Sequence, residues 1–234
     1  MPSRRSPRWS RIERNARAQY GELIAGVDEV GRGPLAGPVV ACAVIMPPTE
    51  RAIAGVDDSK RLPGADREQL ALTIRRLAIA VGVGAASSRE VDRLNIYHAT
   101  TLAMRRALAR LGCIPDHVIV DGRPIRTLGV VHTAVVGGDG KCYAVACASI
   151  VAKVTRDRLM RRLAARYPGY AWEQNAGYGT PAHIAALDAR GATPHHRRTF
   201  CVKQLSLGLA EGGPVGDSMA AASRAASFLR PPSL

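Results

Sequence analysis

The chain has 234 residues, 47% of them hydrophobic, which is enough to bury one sizeable core. No stretch approaches the roughly 18 uncharged apolar residues that cross a bilayer, and the first thirty residues carry arginines rather than a hydrophobic export segment, so a cytoplasmic protein without a membrane partner is expected. The formal net charge is +14, and 29 of the 33 basic residues are arginine, whose planar fork matches phosphate oxygens, so the expected partner is a polyanion.

Residues 1–20 contribute +5 and residues 211–234 contribute nothing net, leaving +9 on the body between them. The folded domain itself is therefore expected to attract nucleic acid through counterion release. The five cysteines form no C-x-x-C pair, which predicts reduced thiols rather than zinc ligands or disulfides.

In chain order, residues 1–22 read as a basic, flexible arm, because arginines 4, 5, 8, 11, 14 and 17 have helical spacing but little apolar face. Leu23 to Asp28 and Pro38 to Ile45 read as buried strands joined by a glycine-rich turn, and Ala78 to Ala86 as a third. Asp66 to Leu77 is helical. Ser87 and Glu90 form a capping box for a short helix, and Tyr97 to Leu111 is a second helix stopped by Gly112. His117 to Asp121 and Val130 to Val136 are β-branched strand runs. Cys142 to Tyr167 forms a long helix ended by Pro168 and Gly169, and Pro181 to Arg190 a last one before Gly191. This order predicts an α/β domain over 23–210, a mixed sheet flanked by helices, followed by a disordered tail over 211–234. No apolar surface asks for a partner subunit, so a monomer is expected.

Three of the strands finish in acid plus glycine. Asp28 and Glu29 precede Gly31, Asp121 precedes Gly122, and Asp139 follows Gly137 and Gly138. Neighbouring strand residues point to opposite faces, so Asp28 and Glu29 are expected to converge only if the strand ends or bends between them. Close carboxylates repel by about 1 kcal/mol per pair in water and more as water is excluded, so such a cluster needs protons or a cation. Oxygen ligands without histidine or thiolate point to Mg2+ or Mn2+, and acids on a basic protein suit a two-metal phosphodiesterase. Gly31-Arg32-Gly33-Pro34-Leu35-Ala36 also matches a dinucleotide fingerprint, but the segment after it reads as a strand where that fingerprint must open a helix.

The segments 26–40 (from Gly26-Val27-Asp28-Glu29 to Pro38-Val39-Val40), Asp58-Ser59-Lys60, Asn95-Ile96-Tyr97-His98-Ala99-Thr100, Val120-Asp121-Gly122, Gly138-Asp139, 148–157 (Ala148 to Asp157), Gly177-Tyr178-Gly179-Thr180 and His196-Arg197-Arg198-Thr199-Phe200 together resemble ribonuclease HII over about residues 23–205. The resemblance implies a ribonuclease H-like fold with a helical C-terminal extension. It implies that Asp28, Glu29, Asp121 and Asp139 are catalytic acids binding Mn2+ or Mg2+, that Gly31, Arg32 and Gly33 read a ribonucleotide's 2′-hydroxyl through main-chain contacts, that Lys60 touches phosphate, and that Tyr178 packs on the sugar at an RNA-to-DNA junction. The implied substrates are RNA/DNA hybrids or DNA duplexes containing ribonucleotides. Cleavage is expected on the 5′ side of the ribonucleotide, leaving 3′-hydroxyl and 5′-phosphate ends, in removal of misincorporated ribonucleotides. The chain departs from many relatives in carrying Asn175-Ala176 before the tyrosine motif, where a phosphate-facing cation is common, and Cys147 where alanine is usual.

Other polar residues have plainer readings. Ser149, Lys153, Arg156 and Asp157 share one helix face, which leaves Lys153 and Asp157 open between a surface ion pair and support of the acids. His195 and His196 lack a third spaced ligand and read as phosphate or structural contacts. Tyr170 and Trp172 read as packing, and Asp57, Asp58, Asp92 and Asp188 as ordinary loop or helix acids.

Overall fold

The computed structural model describes residues 10–49 and 51–201, so the tail and residues 1–9 of the arm lie outside the described residues. The described chain divides into two compact units, one of residues 10–32, 39–86 and 96–158, the other of residues 33–38, 87–95 and 159–201.

The first unit is built on a mixed sheet. Its strands are β1 (Ile24–Val30), β2 (Val39–Ile45), β3 (Ala80–Ala86), β4 (His117–Asp121) and β5 (His132–Val135), in the order β3-β2-β1-β4-β5. β1 runs antiparallel to β2, β2 antiparallel to β3, and β4 parallel to both β1 and β5. Every residue of β2 is buried, the mark of a strand covered on both faces, and its β-branched and small residues suit that place. On one face Cys42 and Val44 pack with Ala71 and Ile74 of α2 (Gly64–Leu77) and with Ala148, Ile150 and Val151 of α4 (Tyr143–Arg166). Toward the other face β3 carries Gly82 and Gly84. A Cβ at either would overlap the backbone of Ala107 or Ala103, so these glycines let α3 (Ser88–Ala109) lie directly on the strand. Gly26 does the same for β1, where a Cβ would overlap the backbone at Ala144 and Val145 of α4.

Two expectations change. Residues 11–20 of the basic arm are a helix, α1 (Arg11–Tyr20), with a capping box between Ser10 and Glu13 and with Ala16 in an apolar cluster containing Ile24, Ile119 and Val145. The apolar face looked thin in sequence because α1 buries only one side and most of its arginines stay outside. The short and long helices expected after Ser87 join as α3 across a kink at Asn95, whose φ of 67° breaks the helical path.

The second unit contains the end of α4, the short α5 (Trp172–Asn175) and α6 (Pro181–Arg190), so a helical C-terminal extension is present. Thr180 caps α6 at His183 N and Pro181 occupies its first turn. Ala36, Met160, Ala164, Tyr170 and Trp172 form its core, which bears out the packing read for the two aromatics. Among the described residues no helix is long and apolar enough to cross a membrane.

Candidate active site

β1 does not break between its two acids. Its pairing with β2 runs on through Asp28↔Cys42, Glu29↔Ala41 and Val30↔Val40. What stops is the pairing on the other edge: β4 leaves β1 after Val27↔Val120 and continues alone with β5 to Asp121↔Val135. Asp28, Glu29 and Asp121 therefore stand where two parallel strands part company, and the opening between strands replaces the bend expected within one.

The fourth acid, Asp139, lies in a 3₁₀ turn (Gly138–Gly140) between β5 and α4. Gly137, at φ 67°, turns the chain back so that Gly138 N donates to Asp121 Oδ1 at 2.6 Å, which ties this turn to the end of β4. Asp121 is the acid they share: Asp28 and Glu29 each feel its charge as well as lying beside one another, and Asp139 feels it from the turn.

Burial raises the Asp28 carboxyl well above its ordinary range, and the neighbouring Glu29 and Asp121 charges push the same way, while a hydrogen bond with Ser149 opposes them. Burial also raises Glu29, against the pull of Arg32, and Asp121 adds to the rise. Asp139 is raised by burial, then by Asp58 and Asp121, with Lys60 opposing. Two cations stand at the rim: Arg32 Nη1 lies 3.2 Å from Glu29 Oε1, and Lys60 Nζ lies 3.6 Å from Asp139 Oδ2 with its side chain 81% exposed.

A cation fits this chemistry. Glu29 Oε2 is buried and has no hydrogen-bond partner among the described residues, a costly state for an oxygen unless a ligand completes it. Hard carboxylate donors with raised pKa values are what a divalent ion with oxygen preference would bind and deprotonate. Among the described residues no three Asp, Glu, His or Cys side chains are already drawn tightly enough to share one ion.

Supporting groups converge from loops and α4. Ser149 Oγ bonds Asp28 and lies 2.9 Å from Ser59 Oγ, linking the Asp58-Ser59-Lys60 loop to the acid. Asp58, read from sequence as an ordinary loop acid, instead acts on Asp139 and Lys60. Only folding reveals this, since a loop acid beside a lysine has no distinctive spacing. Lys153 and Asp157 form an ion pair at 2.8 Å with each side chain about one-quarter exposed. Beside Glu29 and Asp121 opens a cleft of about 410 Å³ whose walls include Arg32, Arg123, Tyr97 and Thr100.

The Gly31-Arg32-Gly33 turn begins with φ 89° at Gly31, and a Cβ there would overlap the buried side chain of Arg156 on α4. In the second unit, Leu35 N and Ala36 N both donate to Gly177 O, at 2.8 and 3.2 Å. That pairing sets the half-exposed Tyr178 ring beside Gly33, where an added Cβ would lie 3.7 Å from Cε1. Asn175, the departure noted in sequence, is spent on the fold: its Oδ1 accepts from Gly177 N at 2.8 Å and its Nδ2 donates to Tyr170 O. His196 is buried, its ring facing His183 and Thr193. Asp92 accepts from Arg198 N, Thr199 N and Thr199 Oγ1, so it anchors the last described segment rather than serving as a bare helix acid.

A family model for ribonuclease HII matches residues 25–204. The chain is 56% identical over 200 residues to a ribonuclease HII of Granulibacter bethesdensis, covering 83% of this chain and 90% of that one. It is 55% identical over 188 residues to a ribonuclease HII of Gluconobacter oxydans, covering 78% and 90%. Among solved structures, ribonuclease H2 of Pyrococcus horikoshii OT3 superposes with a TM-score of 0.67 at 28% identity, covering 77% of this chain and 95% of that one.

Proposed function

The chain belongs to the ribonuclease HII family, a divalent-metal-dependent class of nucleases that hydrolyse RNA in RNA/DNA hybrids, and from that premise we propose that Asp28, Glu29, Asp121 and Asp139 hold two Mg2+ or Mn2+ ions at which the strand is cut. The observation that carries the assignment is the buried, unpartnered Glu29 Oε2, on a carboxyl that is pushed up together with those of Asp28 and Asp139. Bound ions would supply an activated water and a positive field on the leaving 3′-oxygen.

The chain's own residues do the positioning. Ser149 steadies Asp28, and Gly138 N steadies Asp121, so each carboxylate presents its remaining lone pairs in a fixed direction. The amide groups of Gly31, Arg32 and Gly33 contact the 2′-hydroxyl, which separates a ribonucleotide from DNA. Lys60, exposed and tethered only loosely to Asp139, swings to a phosphate, and Tyr178 packs on the sugar of the following deoxynucleotide. The scissile bond is the one on the 5′ side of the ribonucleotide, leaving 3′-hydroxyl and 5′-phosphate ends. Duplex DNA carrying single misincorporated ribonucleotides is the physiological substrate of this reading.

The test is cleavage of a labelled DNA duplex with one ribonucleotide, beside an all-DNA control, with and without Mg2+ or Mn2+. Cutting is expected only at the ribonucleotide and only with metal. Asp121→Asn should lower kcat by more than the roughly 10- to 100-fold that loss of a supporting group costs, while binding of the duplex persists. Loss of binding with an unchanged rate at saturation would overturn the assignment.

A further inference from the structure

Just beyond the turn that carries Tyr178, the second unit buries two histidines side by side. His183 is fully buried and His196 nearly so, packed against Trp172 and Tyr170. His183 Nδ1 lies 2.8 Å from the carbonyl oxygen of Tyr178, and its Nε2 lies 3.0 Å from both Trp172 Nε1 and His196 Nε2. His196 Nδ1 in turn faces Thr193 N at 2.9 Å and Thr193 Oγ1 at 3.0 Å.

Donor and acceptor chemistry leaves one arrangement of protons. A carbonyl oxygen only accepts, so His183 Nδ1 carries its proton; an indole N–H only donates, so His183 Nε2 is bare. A backbone N–H only donates, so His196 Nδ1 is bare and His196 Nε2 carries the proton it gives to His183. Both rings are therefore neutral, with opposite tautomers; a further proton on His183 would face the Trp172 and His196 N–H groups, and one on His196 would face the Thr193 N–H, with only the Thr193 hydroxyl able to turn and accept it. Burial and the neighbouring ring push His196 down to about 3, and burial lowers His183 as well, in keeping with that lock.

The group at the far end of this relay is the main chain of Tyr178. Its N–H donates to Asn175 O at 2.9 Å, and its carbonyl takes bonds from Thr180 N and from His183. The backbone is held at both ends while the ring stands half exposed beside Gly33. We infer that His183, oriented by His196, Trp172 and Thr193, is a positioning residue that fixes Tyr178 against the sugar on the 3′ side of the ribonucleotide and so sets the preference for an RNA-to-DNA junction. This deepens the reading of Tyr178 given above and rests on it.

The test compares kcat/KM on a DNA duplex with one ribonucleotide, which has a junction, against a continuous RNA/DNA hybrid, in a cycle of His183→Leu, Tyr178→Ala and the double variant. Each single variant should reduce the junction preference by roughly 10- to 100-fold, the scale on which a misplaced positioning group acts. The double variant should be no worse than Tyr178→Ala. His183→Gln, whose amide donates to the Tyr178 carbonyl and accepts from Trp172, should restore most of the preference. Additive losses, or equal rescue by the apolar leucine, would overturn the inference while leaving the Tyr178 reading standing. An unchanged preference in Tyr178→Ala would instead overturn the reading of Tyr178, and this inference with it. Imidazole nitrogen spectra of the wild-type chain need no variant to fold. They should show His183 protonated at Nδ1 and His196 at Nε2, unchanged from about pH 8 to about pH 5; the reverse tautomers, or titration near the ordinary histidine value of about 6.5, would overturn the relay.

Discussion

Asp28, Glu29 and Asp139 each cost the fold something when ionised, since burial and like charges raise all three above their unfolded range. A carboxyl whose folded pKa is raised favours the native state while protonated, and that contribution fades as pH climbs through the folded value. Neutralising one acid should therefore stabilise the metal-free chain at neutral pH. Asp28→Asn is expected to melt higher than the wild type in chelator at pH 7–8, by ~2–4 °C for each ~1 kcal/mol relieved. The gap should narrow as pH falls toward the unfolded carboxyl value of about 3.9, and thermal melts across pH would reveal a constant gap if packing rather than charge were responsible. Added Mg2+ or Mn2+ should raise the wild-type melting temperature and do so far less for Asp121→Asn, because binding to the native state alone stabilises by about 2.7 kcal/mol at one hundred times Kd. The four acids stood out as candidates in the sequence because each lies close to glycine beside a β-branched run, a local pattern. Asp58 and Ser149 were not, because their part comes from a loop and a helix folding over β1.

The elements that carry the site owe their placement to contacts far apart in sequence. α4 begins after Cys142, a poor capping residue, and its first amides are orphaned by helix geometry. They are met by Glu13 of α1, fully buried, whose Oε1 accepts from Ala144 N at 2.8 Å and whose Oε2 accepts from Tyr143 N at 3.1 Å. The arm's helix thus caps, from 130 residues away, the helix that bears Ser149. Glu13→Ala would leave both amides buried without acceptors, at roughly 1–3 kcal/mol each, and is expected to lower the melting temperature by at least ~4 °C. Glu13→Gln keeps one oxygen and should lose about half as much; equal melting of all three proteins would show that water replaces the cap. Hydrophobic periodicity located most helices and strands within a few residues. It passed over α1, which docks through a narrow face of Ala16, Ile12 and the buried Glu13.

Charge acts at the scale of the whole molecule. Residues 1–9 hold three arginines, against thirty basic residues in the rest of the chain. If the body carries the attraction to nucleic acid, deleting residues 1–9 should make the slope of log affinity against log salt shallower by no more than ~2.7, about 0.9 for each phosphate no longer neutralised. Titration of an all-DNA duplex at several salt concentrations measures this, and near-complete loss of the salt dependence would locate binding in the arm instead.

The sequence by itself determined the family and the mixed α/β class, and it put the four acids forward as candidates, because strand periodicity, glycine turns and segment order are local properties written along the chain. Only tertiary structure decided how Asp28 and Glu29 share one opening without a bend, which strand edge β4 abandons, what caps α4, and which histidine tautomers the second unit enforces. Each of those depends on partners brought together by folding, and a hydrogen bond or a charge–charge interaction between residues far apart along the chain leaves no period or spacing to read.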